Sequence, residues 1–302
     1  MGVVMADQEP LSTAKKPGIR RVKSAERVLD LLEIFGANAG GVSFARLVQL
    51  LGIPKSSLFA LVETMEARGY IVLNSESRKY TLSIRTWEIG QAFQRNNNIL
   101  EHADAILVGV VEAVNETAQL AKLVGNECVY LAKKESTHPL RLQSDVGMRL
   151  QAHATGVGKA MLAQLDDADV SELFETTALP VFTPQTLVDM TILLTDLSAT
   201  RARGFAVDNE EYTPGVFCLA VPIYEALGNA TAALSVTVPI TRATPDGLAG
   251  LLAAISRGSC EMSTRLGRIQ LDPMLMKLSD PAAAAIAIST LIFSGRYNLN
   301  FE

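Results

Sequence analysis

Only three histidines, three cysteines and one tryptophan occur among the 302 residues. Cys128, Cys218 and Cys260 form an odd, widely spaced set without a C-x-x-C pair, which argues against a disulfide framework and a structural zinc site. No metal is expected, and free thiols fit a reducing, cytoplasmic compartment. Long hydrophobic runs are scarce too. The longest candidate, Pro281 to Phe293, includes Ser289 and Thr290 and falls short of the roughly 18 apolar residues that suggest a membrane span. The first 21 residues lack the apolar centre of a signal peptide, so neither secretion nor a membrane partner is expected.

What is present describes a folded chain. Hydrophobic residues make up 48% and charged residues 20%, with mean hydropathy +0.22 and net charge −5, the opposite of a disordered composition. At about 100 to 200 residues per domain, the length suggests two domains. The charge is divided between the ends. Residues 1–85 hold 12 Lys/Arg against 8 Asp/Glu, or +4, and the remaining 217 residues hold 15 against 24, or −9. A basic end of that kind points weakly to a polyanionic partner.

Apolar spacing in the basic end predicts three short helices and a hairpin. Ala25, Val28, Leu29 and Leu32 fall on one helical face that Gly36 ends. Ser43 can cap a second helix whose face is Phe44, Leu47, Val48 and Leu51, with Gly52 as its stop. Pro54 opens a third, with Leu58, Leu61, Val62 and Met65 on one side before Gly69. The last two helices, joined by Leu51-Gly52-Ile53, read as a helix-turn-helix, and Tyr70 to Leu73 with Lys79 to Ser83 read as a wing. The outer face of the third helix then carries Lys55, Ser56, Ser57, Phe59 and Ala60. Lys and Ser there suit phosphates or base edges of double-stranded DNA in the major groove, and Phe59 suits a thymine methyl. Arg78 and Lys79 on the wing and Arg20, Arg21 and Lys23 on a preceding arm would hold the backbone or minor groove. A three-helix protein-interaction module with solvated charges is the alternative.

These residues also carry a resemblance. Lys23-Ser-Ala-Glu-Arg-Val-Leu-Asp-Leu-Leu, Leu51-Gly-Ile-Pro-Lys-Ser-Ser-Leu, the stretch Leu61 to Tyr70 and Arg78-Lys-Tyr-Thr-Leu resemble the DNA-binding domain of the isocitrate lyase regulator (IclR) family of bacterial transcription factors. One position departs: the family commonly has Arg where this chain has Ala60, so its operator preference does not transfer. The resemblance implies a flexible arm (1–19), a winged helix-turn-helix domain (20–83) and a dimerising linker helix (84–99). It further implies an effector domain (100–267), leaving a C-terminal extension (268–302). A lone tryptophan on the linker helix, Trp87, is expected in a core.

Beyond the linker, a helix is expected from about Leu100 to Val114. Hairpins at Leu120–Val124 with Cys128–Ala132 and at Phe217–Tyr224 with Ala232–Val238 flank a helix at Gly158–Gln164. Strand pairs separated by helices give an α+β domain with an antiparallel sheet, which resembles the family's GAF-like effector domain. Three stretches carry the likeness: Gly147 to Ala160, Gly204 to Glu211 and Gly215 to Pro222. The glycines around 156–158 do not make a nucleotide site. His153 stands where a P-loop needs Gly and Ala160 where it needs Ser/Thr, while Met161 breaks a dinucleotide fingerprint. No cofactor is expected. The start of a helix at Thr155 to Gly158 could bind a carboxylate through free N–H groups, or simply turn tightly and bind nothing.

The resemblance implies an effector pocket of Leu142, Gly156, Val157, Asp208, Cys218, Ser235 and Thr237, fitted to a small organic or aromatic acid. Without it, Asp208 reads as a surface-loop carboxylate and Cys218 as packing. A cysteine hydrolase or transferase using Cys218, His153 and Asp208 is the rival reading, but no nucleophile motif surrounds Cys218. The expectation is a non-enzymatic homodimer or homotetramer that binds operator DNA and a small effector. For the extension, Asp280-Pro281 suggests a helix start, with packing on the effector domain or on a neighbouring subunit equally open.

Overall fold

The computed structural model describes residues 22–95, 98–139 and 145–294, in two compact units divided between Asn96 and Asn97. The first unit runs α1 (Lys23–Ala37), β1 (Val42–Ser43), α2 (Phe44–Leu51), α3 (Lys55–Ala67), β2 (Ile71–Asn74), β3 (Lys79–Leu82) and α4 (Ile84–Arg95). Ser43 caps α2 by accepting the Arg46 N–H, and Gly52 ends it in the left-handed region, where a Cβ would be strained. The axes of α2 and α3 then bend by 119°, the geometry of a helix-turn-helix. Leu31, Phe35, Leu47, Leu58, Val62, Met65 and Ile71 close the core.

Three sequence expectations for this unit need correcting. α1 runs through Gly36 and stops at Asn38, whose side-chain amide donates to the Ile34 carbonyl. Its buried stripe is Leu31, Ile34 and Phe35, while Ala25 and Leu29 are exposed, because apolar residues on several faces leave periodicity unable to choose one. The wing also has a third strand: β1 pairs with β3 and gives the order β1-β3-β2. Two residues are too few to show alternation. Finally, Trp87 is 61% exposed, and Ile84, Ile89 and Phe93 of α4 are exposed with it. Thr86, whose hydroxyl donates to the Tyr70 carbonyl, anchors the start of α4 to the hairpin.

The second unit is an α+β layer structure. It runs α5 (Asn98–Val114), β4 (Thr117–Val124), β5 (Glu127–Lys134), β6 (Arg149–Gln151), α6 (Gly156–Leu162), α7 (Asp167–Phe174) and α8 (Met190–Arg203). It continues with β7 (Ala206–Asn209), β8 (Val216–Tyr224), β9 (Ala230–Pro239), α9 (Pro245–Arg265), α10 (Pro273–Leu278) and α11 (Pro281–Phe293). The six strands form an antiparallel sheet ordered β6-β5-β4-β9-β8-β7, so the two expected hairpins lie side by side with short strands at the edges.

Period-two alternation gives the sheet two unlike faces. Phe217, Leu219, Val221, Leu234, Val236 and Val238 fill one face, against apolar residues of α5, α9, α10 and α11. The other face carries small or polar residues, among them Asp208, Cys218, Ala220, Ala233, Ser235 and Thr237, and faces the α6 to α8 layer. The described part of the C-terminal extension, through α10 and α11, belongs to the first of these layers. Asp272 and Asp280 cap α10 and α11 by accepting the Leu275 and Ala283 N–H groups, each followed by Pro at the first helical position. Leu275, Leu278, Ala284, Ile288 and Leu291 join the core built on α9. We expect Ile288→Ala to destabilise the chain by about 2 to 5 kcal/mol, as a large-to-small change in a closed core does. Urea denaturation checks this, and a loss below about 0.5 kcal/mol would mean that α11 is only loosely attached.

Candidate functional site

In the first unit, Lys55, Ser56, Ser57, Phe59 and Ala60 are all exposed on the first turns of α3, as are Lys23 on α1 and Arg78 and Lys79 on the wing. Pro54 supplies no side-chain cap to α3, so the positive end of the helix and its first N–H groups accompany Lys55. Asn74 shapes the wing tip by accepting the Glu76 and Ser77 N–H groups, and Arg78 adopts a left-handed backbone (φ 56°). Arg20 and Arg21 lie outside the described residues.

In the second unit, strand register lines up the expected polar residues. Asp208 pairs with Cys218 and Cys218 with Thr237, a row across β7, β8 and β9; Ser235 stands two residues from Thr237 and shares its face. The start of α6 lies on this row. A Cβ on Gly156 would come within 3.3 Å of the Cys218 Cβ, 3.4 Å of the Ala220 Cβ and 3.8 Å of the Asp208 Cβ. One residue pair later the fit is tighter: a Cβ on Gly158 would overlap the Ala152 backbone. Thr155 caps α6 by accepting the Gly158 N–H, which leaves the Gly156 and Val157 N–H groups as the uncapped donors there. Leu142 lies outside the described residues.

A buried ion cluster locks this seat. Lys159, fully buried, bonds Glu211 at 2.5 Å and lies 3.2 Å from Asp196 of α8. Asp208 is buried in β7 rather than lying on a surface loop, and its Oδ1 accepts the Glu211 N–H at 2.8 Å. Burial first and the Glu211 charge second push the Asp208 carboxyl up to about 7, against the pull of Lys159. Ser235 and Thr237 hydroxyls both donate to Gln119 Oε1 at 3.1 Å, and Thr237 shares a hydrogen bond with the Cys218 thiol at 2.9 Å.

Among the described residues, Cys218 shares its hydrogen bond with Thr237 and His153 with the Pro180 carbonyl, so the two do not form the thiol–imidazole pair of the catalytic alternative. Burial and the Asp208 charge hold the Cys218 thiol well above its ordinary value, the reverse of an activated nucleophile. His153 Nε2 contacts the Pro180 carbonyl at 3.1 Å, and its ring packs against Phe174 and Phe182. Burial lowers its pKa. Sequence reasoning missed Lys159, Glu211, Gln119 and Tyr130 on this face. Lys159 and Glu211 do lie inside the motif stretches, and Gln119 is a polar residue in an apolar strand run, which are the signals that could have found them.

Known proteins share the order of the two units. Residues 24–75 match the IclR helix-turn-helix domain, and residues 91–264 match the bacterial transcriptional regulator IclR C-terminal domain. The chain belongs to the IclR family. It is 32% identical over 242 residues to the regulator BhcR of Paracoccus denitrificans, spanning 80% of this chain and 86% of that protein. It is 31% identical over 258 residues to the repressor IclR of Escherichia coli, spanning 85% and 94%. The crystal structure of Thermotoga maritima IclR superposes with a TM-score of 0.67 at 26% identity, over 81% of this chain and 99% of that one. An IclR homologue from Microbacterium hydrocarbonoxydans, solved with 4-hydroxybenzoate, shares the fold with a TM-score of 0.72 at 23% identity, over 80% and 98%. This IclR-family chain is a DNA-binding transcriptional regulator with an effector-binding C-terminal domain.

Two outcomes follow from the buried cluster. Asp208 holds its proton to a higher pH in the folded than in the unfolded chain, so its contribution is most favourable below the ordinary carboxylate pKa and is lost as pH rises to about 7. In urea titrations across that window, Asp208→Asn should flatten the fall of stability with pH, by at most about 1.4 kcal/mol per pH unit. An unchanged slope would show that Asp208 titrates normally. Lys159→Met should cost about 3 to 5 kcal/mol in the same urea titrations, because it removes the ammonium paired with the buried carboxylates of Glu211 and Asp196.

Proposed function

We propose that this regulator answers to a small organic or aromatic acid and controls a catabolic operon. Gly156, Val157, Leu142, Asp208, Cys218, Ser235 and Thr237 would form its pocket. The observation that carries the reading is the row Asp208–Cys218–Thr237 lying beneath the start of α6, where the Gly156 and Val157 N–H groups, hydroxyls and a carboxyl that titrates near neutrality meet. The 4-hydroxybenzoate complex of the Microbacterium homologue supports an aromatic acid as one such ligand. An acid carrying negative charge fits best when Asp208 is protonated, so its binding should weaken as pH rises through about 7. Calorimetry with a panel of small carboxylic acids tests the pocket: Ser235→Ala should weaken the bound acid, and equal binding to both proteins would remove Ser235 from the site.

DNA contact falls to Lys55, Ser56, Ser57 and Phe59 on α3, to Arg78 and Lys79 on the wing, and to Lys23 with Arg20 and Arg21 on the arm. Exposure of the described members and the free N-terminus of α3 support this. The exposed Ile84, Trp87, Ile89 and Phe93 of α4 support a homodimer or homotetramer, since a lone helix does not keep such residues in water without cause. A protein with this partner works in the cytoplasm, and it is not an enzyme: the half-buried Cys218, whose thiol is held well above its ordinary value, supports the absence of thiol chemistry. We expect Lys55→Ala and Arg78→Ala each to weaken binding to duplex DNA and to reduce the salt slope of log K by about one. Fluorescence anisotropy over a range of salt measures this, and unchanged slopes would overturn the docking surface.

A further inference from the structure

The buried cluster leaves the pocket with an electrostatic problem. Lys159 is carried on α6 beside the row, yet its ammonium is engaged by Glu211 and Asp196. A carboxylate bound beside Asp208 must therefore be held by neutral donors. The Gly156 and Val157 N–H groups are two, and the sheet supplies a third that neither the motif stretches nor the resemblance singled out.

Tyr130 lies on β5. It pairs with Ala121, and Ala121 pairs with Ala233, which stands two residues from Ser235; cross-strand partners share a face, so Tyr130 is on the effector side of the sheet. Its side chain is packed with Cys128, Val157 and Ala220 in the same apolar cluster, and Tyr130 is only 9% exposed. Among the described residues its hydroxyl makes no hydrogen bond, although Gln119, Ser235, Thr237, Cys218 and Asp208 around it are all engaged. Burial above all, then the charges of Cys218, Cys128, Asp208 and Tyr212, hold the phenol proton in place, so the group remains a donor at any physiological pH. Tyr130 is nine-tenths buried, but its hydroxyl is not among the fully buried atoms without a partner, so it keeps accessible surface through which a ligand can reach it.

We propose that Tyr130 is a specificity-determining residue of the effector pocket, its unpartnered phenol hydroxyl donating a hydrogen bond to the carboxylate of the bound acid in place of a cation. The assignment rests on the pocket described above. It makes the site selective for the acid over its neutral amide, because a hydrogen bond to a charged acceptor is worth more than one to a neutral acceptor.

The test is calorimetry on the full chain with benzoate, 4-hydroxybenzoate and benzamide as probes, using wild type, Tyr130→Phe and Ser235→Ala. Each variant is first checked for an unchanged secondary-structure spectrum and a cooperative thermal transition. Tyr130→Phe keeps the ring and its packing, so a merely structural role predicts equal changes for acid and amide. The proposal expects Tyr130→Phe to weaken the tighter-binding acid about tenfold to a hundredfold while changing benzamide less than about threefold. If Tyr130→Phe binds the acid as wild type does, or weakens acid and amide alike, while Ser235→Ala weakens the acid, the role of Tyr130 is overturned and the pocket stands. If neither variant alters acid binding, or if neither acid binds wild type, the pocket reading falls and the proposal with it.

Discussion

The close seat of α6 on the sheet is the constraint on which the effector unit depends. Gly158 admits no side chain against the Ala152 backbone, and Gly156 leaves α6 within van der Waals reach of Cys218, Ala220 and Asp208. A helix can approach so closely only where the strands beneath present small side chains, which is what this face of β8 and β9 does. The opposite face of the same strands carries Phe217, Leu219, Leu234 and Val236 and provides the apolar burial. One alternating pattern thus gives the sheet an apolar side and a side of small and polar residues.

Lys159 turns that approach into electrostatics. Carried into the interior on α6, it must be neutralised, and Glu211 and Asp196 do so from the turn after β7 and from α8. Three elements are tied at one ammonium. Burial first, and the neighbouring Glu211 charge second, make Asp208 hold its proton toward neutral pH. The lysine in the glycine-rich stretch is thereby committed to structure, consistent with a stretch that fails as a phosphate loop.

Much of this was legible beforehand, for physical reasons that differ by element. Ser43, Gly52 and the two Asp-Pro starts are local signals, readable because a cap depends on neighbouring residues alone. The central hairpins carried clear alternation. What failed were choices between near-equivalent patterns, such as the buried stripe of α1, and short strands such as β1 and β6 whose pairing is decided by distant residues. Trp87 shows the other limit: an aromatic residue on a helix reads as core, and only the fold reveals that a single chain leaves it in water. At the site, residue types that bind ligands were noticed, whereas Lys159, Gln119 and Tyr130 gain their meaning from partners remote in sequence.

The two units also divide the electrostatic work. Up to Asn96 the chain carries 13 Lys/Arg against 9 Asp/Glu, or +4, and beyond it 14 against 23, or −9. A polyanion is attracted by the first and repelled by the second, so salt-dependent attraction to DNA originates in the first unit. An effector bound in the acidic unit lies in the part of the chain whose net charge repels DNA. It can alter DNA affinity only by binding two arrangements of the protein unequally, and the size of that difference is the most by which the regulator can respond.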